Sequence, residues 1–508
     1  MNTEILIAGA GRTGLTLALR LARMGVAFRI IEASSGPGQA SRAMVVQART
    51  LEFYQQLGLA DELIERGIRI DSIHYSEEGR DIASLSWGDA GKDLTPYPFV
   101  LSFPQDDHEL FLVEQLKKLG VEVEWGVALQ RFEQQAEHVV ATLSRGGVEE
   151  VCQARYLCGC EGARSVVRKQ LQVGFPGGTY NQLFYVADVA LEGPASTNVY
   201  LHAGKHNMVL MAPVRSSGMQ RLIGIVPPEL DGHEGLTFED LRPGAEAMLG
   251  VTVGKANWLS TYRVHHRVAE HFRVGRAFLL GDAGHLHSPA GGQGMNTGIG
   301  DAVNLAWKLA DVVQARAPET LLDTYETERI AFARKLVETT DKAFEGMVGE
   351  GWRSIFLRNW MLPHLAPVLS HFNGFRKTLF QTLSQTRIRY RDSAISEGHV
   401  GDLHGGDRMP WTGDNFGHAA TLYWHVQVFG EASADLEREA RRAGVPVLSF
   451  PYSALAKSNG VKAHAAYLVR PDSHIAQVME HQDPHVLLGF LQRHGLTLAQ
   501  SGVGVSSA

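Results

Sequence analysis

Apolar positions in the first third of the chain come in two rhythms. Ile5-Leu6-Ile7-Ala8 and Phe28-Arg29-Ile30-Ile31 are short, nearly unbroken runs of the kind that form strands buried on both faces. Between them, Leu15 to about Arg23 keeps helical spacing. This succession of strand, helix and strand predicts a doubly wound α/β unit. From about Phe175 to Arg267 the rhythm shifts to short strand-like runs, such as Phe184-Tyr185-Val186 and Arg221-Leu222-Ile223-Gly224-Ile225-Val226. They predict a mostly antiparallel sheet inserted into the first unit. Pro318 to about Arg391 reads as largely helical, and the tail after Gly401 returns to mixed α/β. There Pro446 confines the strand candidate Val445–Phe450 to an edge or to a start at the proline, and Asp483-Pro484 suits the N-cap and first turn of a last helix.

The turn after the first strand is Gly9-Ala10-Gly11-Arg12-Thr13-Gly14. Its glycines allow a sharp bend and let the main chain approach a pyrophosphate, while the helix that follows turns its partial positive charge on the phosphates. The second strand ends in Glu32, an acceptor for ribose hydroxyls, so the whole βαβ unit reads as a dinucleotide site. That motif does not separate FAD from NAD. A second block decides it: Gly275 to Leu280 reads as a buried strand ending in Gly281-Asp282, followed by Ser288-Pro289-Ala290-Gly291-Gly292-Gln293-Gly294-Met295-Asn296. A helix follows, with Ile299, Ala302, Val303, Ala306, Leu309, Ala310 and Val313 at helical spacing. An aspartate at a strand end suits a ribityl hydroxyl. A glycine loop lets backbone lie along a flat ring, and a helix N-terminus stabilises the negative charge a flavin gains on reduction.

Composition narrows the partners. In 508 residues, 48 Lys and Arg face 55 Asp and Glu with no long single-sign run, which excludes the basic footprint of a nucleic-acid binder. No apolar run reaches membrane-spanning length, and the amino terminus lacks the pattern of a secretory signal. Cys152, Cys158 and Cys160 are odd in number and crowded into one segment, which suits buried strand positions in a reducing compartment, so the expected location is the cytoplasm.

Taken together, these segments resemble the class A flavoprotein monooxygenases, the family of para-hydroxybenzoate hydroxylase, phenol hydroxylase and the polyketide aromatic hydroxylases. The resemblance rests on the glycine turn with Glu32, on Ser41-Arg42-Ala43, and on Gln105 before a helix. It continues through Gly159-Cys160-Glu161-Gly162-Ala163-Arg164-Ser165 with Arg168 and the Gly281-Asp282 block. It implies that Arg42 and Gln105 contact FAD, that Asp282 holds the ribityl chain, and that Pro289 with Gly291, Gly294, Met295 and Asn296 lines the isoalloxazine ring. The family usually carries Asp where this chain has Glu161; the extra methylene keeps the charge and moves it by about one carbon–carbon bond, and the resemblance gives Glu161 a part in FAD and pyridine-nucleotide binding. Arg164 and Arg168 serve equally well as loop anchors through carboxylates.

The implied fold is α/β: a Rossmann-like FAD-binding domain (1–174 and 268–391, with a helical extension), an inserted, mostly antiparallel substrate sheet (175–267), and a thioredoxin-like C-terminal domain (401–508). With no cysteine after Cys160, that last domain has no thiol redox chemistry. The implied reaction is hydroxylation of a phenolic, heteroaromatic or polyketide substrate by O2 through a flavin C4a-hydroperoxide, with NADPH or NADH as transient co-substrate. A homodimer is compatible with it.

Two other functions share these motifs. An FAD-retaining binding or chaperone-like homologue without turnover would keep every one of them. A flavin-dependent halogenase usually carries Trp-x-Trp-x-Ile-Pro, and none of the eight tryptophans falls in that pattern. Histidines His265, His266, His285 and His287 sit in adjacent or alternate pairs without a third ligand, so ring packing and loop hydrogen bonds are expected and no metal. Tyr180, Tyr185, Tyr200 and Tyr262 read as strand residues, and no catalytic base is assigned.

Overall fold

The computed structural model describes residues 2–38, 43–77, 80–192, 196–204, 207–214, 218–233, 235–288, 292–348, 372–417 and 419–498. Strand β1 (Asn2–Ala8) leads through α1 (Arg12–Arg23) to its parallel neighbour β2 (Phe28–Glu32). Ile5, Leu6 and Ile7 are wholly buried because helices or strands cover both faces, which is why the run lacks polar alternation. Helix α2 (Gln105–Lys118) packs against α1. On its other side β1 pairs in parallel with β3 (Val148–Gly159), and β3 pairs in parallel with Ala277–Leu279. Three parallel strands therefore end at one edge and release Gly9, Cys160 and Leu280 side by side, the edge where open α/β sheets bind ligands.

The second sheet is built from β4 (Gly177–Leu191), β5 (Val199–Ala203), β6 (Met208–Val214), β7 (Met219–Ile225) and, after α3 (Phe238–Leu249), β8 (Val253–Val268). Its order runs β8-β4-β7-β6-β5, extended past β5 by Ser72–Glu77 and Arg80–Ser86 and past β8 by His285–Leu286. The sheet thus recruits strands from both flanks of the segment whose pattern announced it. Alternation divides its faces: Tyr185, Ala187, Val189, Met211 and Leu222 pack with Phe238, Leu241 and Ala245 of α3. The opposite face carries Phe184 and Val264 and, on the neighbouring strands, Ala212 and Val199, which join the main core.

Helix α4 (Gly294–Val313) runs through the centre of the molecule and packs along α1, and α5 (Asp323–Val348) follows it. In the tail, β9 (His425–Phe429), α6 (Ala434–Arg442), β10 (Val447–Phe450), β11 (Ala466–Val469), β12 (Ile475–Met479) and α7 (Pro484–Arg493) form a four-stranded sheet with its helices. Strand β10 starts just after Pro446 and lies at the sheet edge, and Asp483 caps α7 by accepting the His485 N–H. Among the described residues no helix is long and apolar enough to cross a membrane.

The tail is docked by charges, not by apolar surface alone. Glu328 of α5 accepts from Arg470 Nη1 at 2.7 Å and Nη2 at 2.8 Å, from Lys308 Nζ at 2.8 Å and from Ser393 Oγ at 2.6 Å, all buried. Arg470 also grips Asp472, whose main-chain carbonyl accepts from Arg49 at 2.7 Å. Arg470 and Lys308 hold the Glu328 carboxyl well below its ordinary range, against the opposing cost of burial. Removing one partner of such a cluster strands the remaining charges, so Glu328→Gln should cost about 3–5 kcal/mol of stability in urea unfolding at neutral pH. A carboxyl with a depressed folded pKa contributes fully above its unfolded value and loses that contribution as the pH falls. The difference between wild type and Glu328→Gln should therefore shrink with acidification below about pH 4.5.

Candidate functional site

A cleft of about 440 Å3 opens where the three parallel strands end. Gly9, Ala10, Gly11, Arg12 and Thr13 form its floor, Glu32 and Gly38 one rim, Gln105 and Glu109 of α2 a wall, and Glu161, Asp282, Gly294 and Met295 its far side. The glycine turn is needed in two distinct ways. At Gly9, with φ of +102°, a Cβ would stand 2.4 Å from the Cys160 carbonyl oxygen, and at Gly14 it would stand 2.0 Å from the Gly9 oxygen. Those two glycines are demanded by the protein's own packing. At Gly11 a Cβ would meet nothing nearer than Glu109 Oε1 at 4.0 Å, yet the residue lines the cleft. Its bareness leaves space for a ligand rather than for the chain.

Glu32 closes the turn as well as the strand: one carboxylate oxygen accepts the Ala10 N–H at 2.9 Å and the other the Ser34 N–H at 3.0 Å. Arg12 donates to Glu109 Oε1 at 2.8 Å, and its own Nε is buried without a partner among the described residues. Glu109 Oε2 accepts the Gly38 N–H at 3.1 Å, and burial raises the Glu109 carboxyl against the pull of Arg12. A floor of main-chain N–H groups at a helix N-terminus, an arginine with an idle N–H and acceptors placed for sugar hydroxyls make a donor set that fits the diphosphate and ribose of FAD.

Thr13 sits between two glycines, since a Cβ at Gly281 or Gly298 would come 2.7 or 2.5 Å from its hydroxyl. Through that contact the first turn is keyed to the Gly281-Asp282 turn and to α4. Asp282 is exposed toward the cleft. Gly294 and Met295 bring the N-terminus of α4 to the same space.

Other residues singled out in the sequence are spent on the protein itself. Asn296 Oδ1 accepts from Gln47 N and Thr50 Oγ1, and its Nδ2 donates to Val45 O and Gly292 O, which ties the first turn of α4 to the segment Val45 to Thr50. Glu161 lies in the cleft wall, but its carboxylate accepts from Val167 N at 3.0 Å and Ser165 Oγ at 2.9 Å. Arg168 anchors loops, as one reading of the sequence had it, though through the carbonyls of Ala163 and Ala283 rather than through carboxylates. Arg42, Pro289 and Gly291 lie outside the described residues.

Two residues escaped the sequence reading. Glu109 stands four positions after Gln105, one helical turn along the same face. Asp301 is buried in α4 and accepts from Gly281 N at 2.9 Å, His285 Nε2 at 2.7 Å and Arg329 Nε at 2.6 Å. The signal was present: Asp301, Asn304, Lys308 and Asp311 interrupt an otherwise apolar helix at helical spacing.

The two kinds of glycine make a test. Gly11→Ala should leave the thermal midpoint within a few degrees of wild type and weaken FAD binding at least tenfold, a loss of about 1.4 kcal/mol. Gly14→Ala should destabilise the fold itself by about 1–3 kcal/mol or more, because backbone must move. Titration of apoprotein with FAD beside thermal unfolding separates the two. Equal FAD affinity for Gly11→Ala and wild type would mean that the phosphates lie elsewhere.

Comparison with known proteins bears on the whole chain. The family described as FAD binding domain matches residues 2–340. The 6-methylpretetramide 4-monooxygenase of Streptomyces rimosus is 34% identical, over 93% of this chain and 90% of that protein. The pentachlorophenol 4-monooxygenase of Sphingobium chlorophenolicum is 30% identical over 80% and 76% of the two chains. Among solved structures, the ternary complex of aklavinone-11 hydroxylase with FAD and aklavinone superposes with a TM-score of 0.79 at 26% identity, covering 97% of this chain and 98% of that one. Two of these relatives are named monooxygenases and one a hydroxylase, which favours that activity over a silent FAD binder or a halogenase. The chain belongs to the FAD-binding-domain family and is an FAD-dependent aromatic monooxygenase with NAD(P)H as co-substrate.

Proposed function

We propose that the enzyme hydroxylates a fused-ring phenolic substrate of the polyketide kind, with O2 as the oxygen donor, seated between the inner end of the cleft and the aromatic face of the second sheet. The observation that carries this reading is that face. Phe184 and Val264 are buried there, with Tyr180, Met208, Ile225 and Tyr262 packed around them, a broad apolar floor that suits a flat polycyclic ring. Identity to 6-methylpretetramide 4-monooxygenase across nearly the whole chain, tail included, supports the same substrate class.

When bound, FAD supplies the hydride acceptance and O2 activation that amino-acid side chains lack. The protein's share is to bind, orient and exclude water. On this reading Gly11, Arg12 and Thr13 border the pyrophosphate in a turn that Gly9 and Gly14 make possible, Glu32 takes the ribose and Asp282 the ribityl chain. Gln105 contacts the cofactor from α2, and Gly294 and Met295 present the α4 N-terminus to the ring. Glu161 and Asn296 act one step back, by fixing the loops that form the walls. Family resemblance adds Arg42, Pro289 and Gly291 to the set. The strand order β10-β9-β11-β12, with β9 and β10 parallel and β11 antiparallel to both its neighbours, supports reading 401–508 as a thioredoxin-like domain beside an FAD domain (1–174, 268–391) and a substrate domain (175–267). Three buried, unpaired thiols suit work in the cytoplasm.

The test is a panel of phenols, anthraquinones and naphthacenes incubated with the FAD-loaded enzyme, NADPH or NADH, and isotopically labelled O2. At least one polycyclic phenol should accelerate coenzyme oxidation and leave with one labelled oxygen atom, and the two coenzymes should differ in rate. Stoichiometric hydrogen peroxide with no labelled product across the panel would overturn the proposal. Label in simple phenols alone would overturn the polycyclic part of it.

A further inference from the structure

His287 directly follows His285–Leu286, the short strand at the edge of the second sheet, and lies against Gly294, which lines the cleft. Its Nδ1 lies 2.8 Å from the carbonyl oxygen of Ser288. A carbonyl only accepts, so Nδ1 carries the hydrogen and Nε2 presents a bare lone pair. Nε2 is shut off from solvent and has no partner among the described residues. Burial brings His287 down to about 4, which keeps the ring neutral and Nε2 an acceptor at physiological pH. A buried acceptor left unpaired is costly, so the arrangement calls for a donor that the described chain does not provide.

The surroundings say where that donor would be. A Cβ on Gly294 would come 3.5 Å from both Cε1 and Nε2, so this edge of the ring lies against the first residue of α4, which also lines the cleft. On the opposite flank Ser288 Oγ reaches the Thr340 carbonyl at 3.5 Å, and the next residue of α5, Asp341, accepts the Tyr180 hydroxyl at 2.5 Å and lies 2.9 Å from His266 Nδ1. Tyr180 belongs to the aromatic group on the sheet. Burial and the neighbouring His285 lower the His287 ring, while Asp282 of the cleft and Asp341 of this junction pull the other way.

We propose that Nε2 of His287 accepts a hydrogen bond from the phenolic hydroxyl of the substrate and so fixes which ring position faces the cofactor. The inference rests on the aromatic reading above. It gives His287 a positioning task and not that of a base: an imidazole at about 4 is roughly six units too weak to take the proton of a phenol with an ordinary pKa of about 10. The proton stays on the substrate oxygen, and the hydrogen bond orients it.

The experiment measures binding, not turnover. FAD-loaded wild type, His287→Phe and His287→Gln are titrated with 2-naphthol and 2-hydroxyanthraquinone, each beside its methyl ether, and binding is read from the flavin absorbance. Wild type should prefer the phenols about tenfold. His287→Phe, which keeps a flat ring but no acceptor, should lose that preference while retaining FAD, and His287→Gln, whose amide oxygen reaches similar ground, should regain most of it. Equal preference in wild type and His287→Phe would overturn the inference while leaving the aromatic reading intact. A wild type that binds none of the phenols would overturn both. If His287→Phe sheds FAD and the ligand preference persists in the fraction still loaded, the donor is a ring N–H of the cofactor and the substrate assignment falls.

Discussion

Asp301 sits in the middle of a helix that is buried along almost its whole length, and the geometry of the cleft follows from how its charge is compensated. One oxygen takes the Gly281 N–H and His285 Nε2, and the other takes Arg329 Nε. Arg329 in turn donates to the Thr297 carbonyl and the Tyr390 hydroxyl. A carboxylate so placed fixes the turn that carries Asp282, the first turns of α4 and the helix α5 in one arrangement. Burial works to raise its pKa, and arginine and histidine together hold it below its ordinary range all the same.

The same helix carries the constraint outward. Asn304, Lys308 and Asp311 continue the polar seam, and Asp311 accepts the indole N–H of Trp424 at 2.9 Å while Lys308 joins the Glu328 and Arg470 cluster. Buried ion pairs contribute little net stability compared with well-packed apolar side chains, because desolvation offsets most of the attraction. What they provide here is register. An apolar α4 would tolerate a shift against the tail, whereas Asn304 and Lys308 meet Glu328 and Asp472 at bonding distance in this register and would lose them with a shift along the helix. The tail therefore clamps the far end of the helix whose near end lies at the cofactor cleft.

How much of this could be read from sequence depends on whether a residue's neighbour is local. The βαβ unit was legible because Gly9 to Gly14 and the apolar runs beside it are defined within thirty positions of one another, and Pro446 and Asp483 announced a strand start and a helix cap through local backbone chemistry. The cleft was legible in outline, since two glycine blocks needed a common ligand. What the sequence hid were partners far apart along the chain. Ser72–Glu77 joins the second sheet through Val199–Ala203, more than a hundred residues away, and nothing in its alternation names that neighbour. Asn296 looked like a ring contact, yet its four hydrogen bonds run to Val45, Gln47, Thr50 and Gly292, three of them some 250 positions away along the chain.

The cleft's charge poses a problem that the fold resolves by pairing. Among the described residues that line it, Glu32, Glu109, Glu161 and Asp282 are acidic and Arg12 alone is basic, while the proposed ligand brings a diphosphate. Four free carboxylates would repel it. Three of them are not free: Glu32 is occupied by two main-chain N–H groups, Glu161 by Val167 N and Ser165 Oγ, and Glu109 by Arg12 and Gly38 N. Only Asp282 is left facing the cleft, on the turn that Gly281 keys to Thr13, where a sugar hydroxyl calls for an acceptor. The phosphates would then meet the unpaired N–H groups at the start of α1 and the idle Nε of Arg12, and Glu109, by holding that guanidinium at the wall, keeps the cation beside the floor without taking all of its donors.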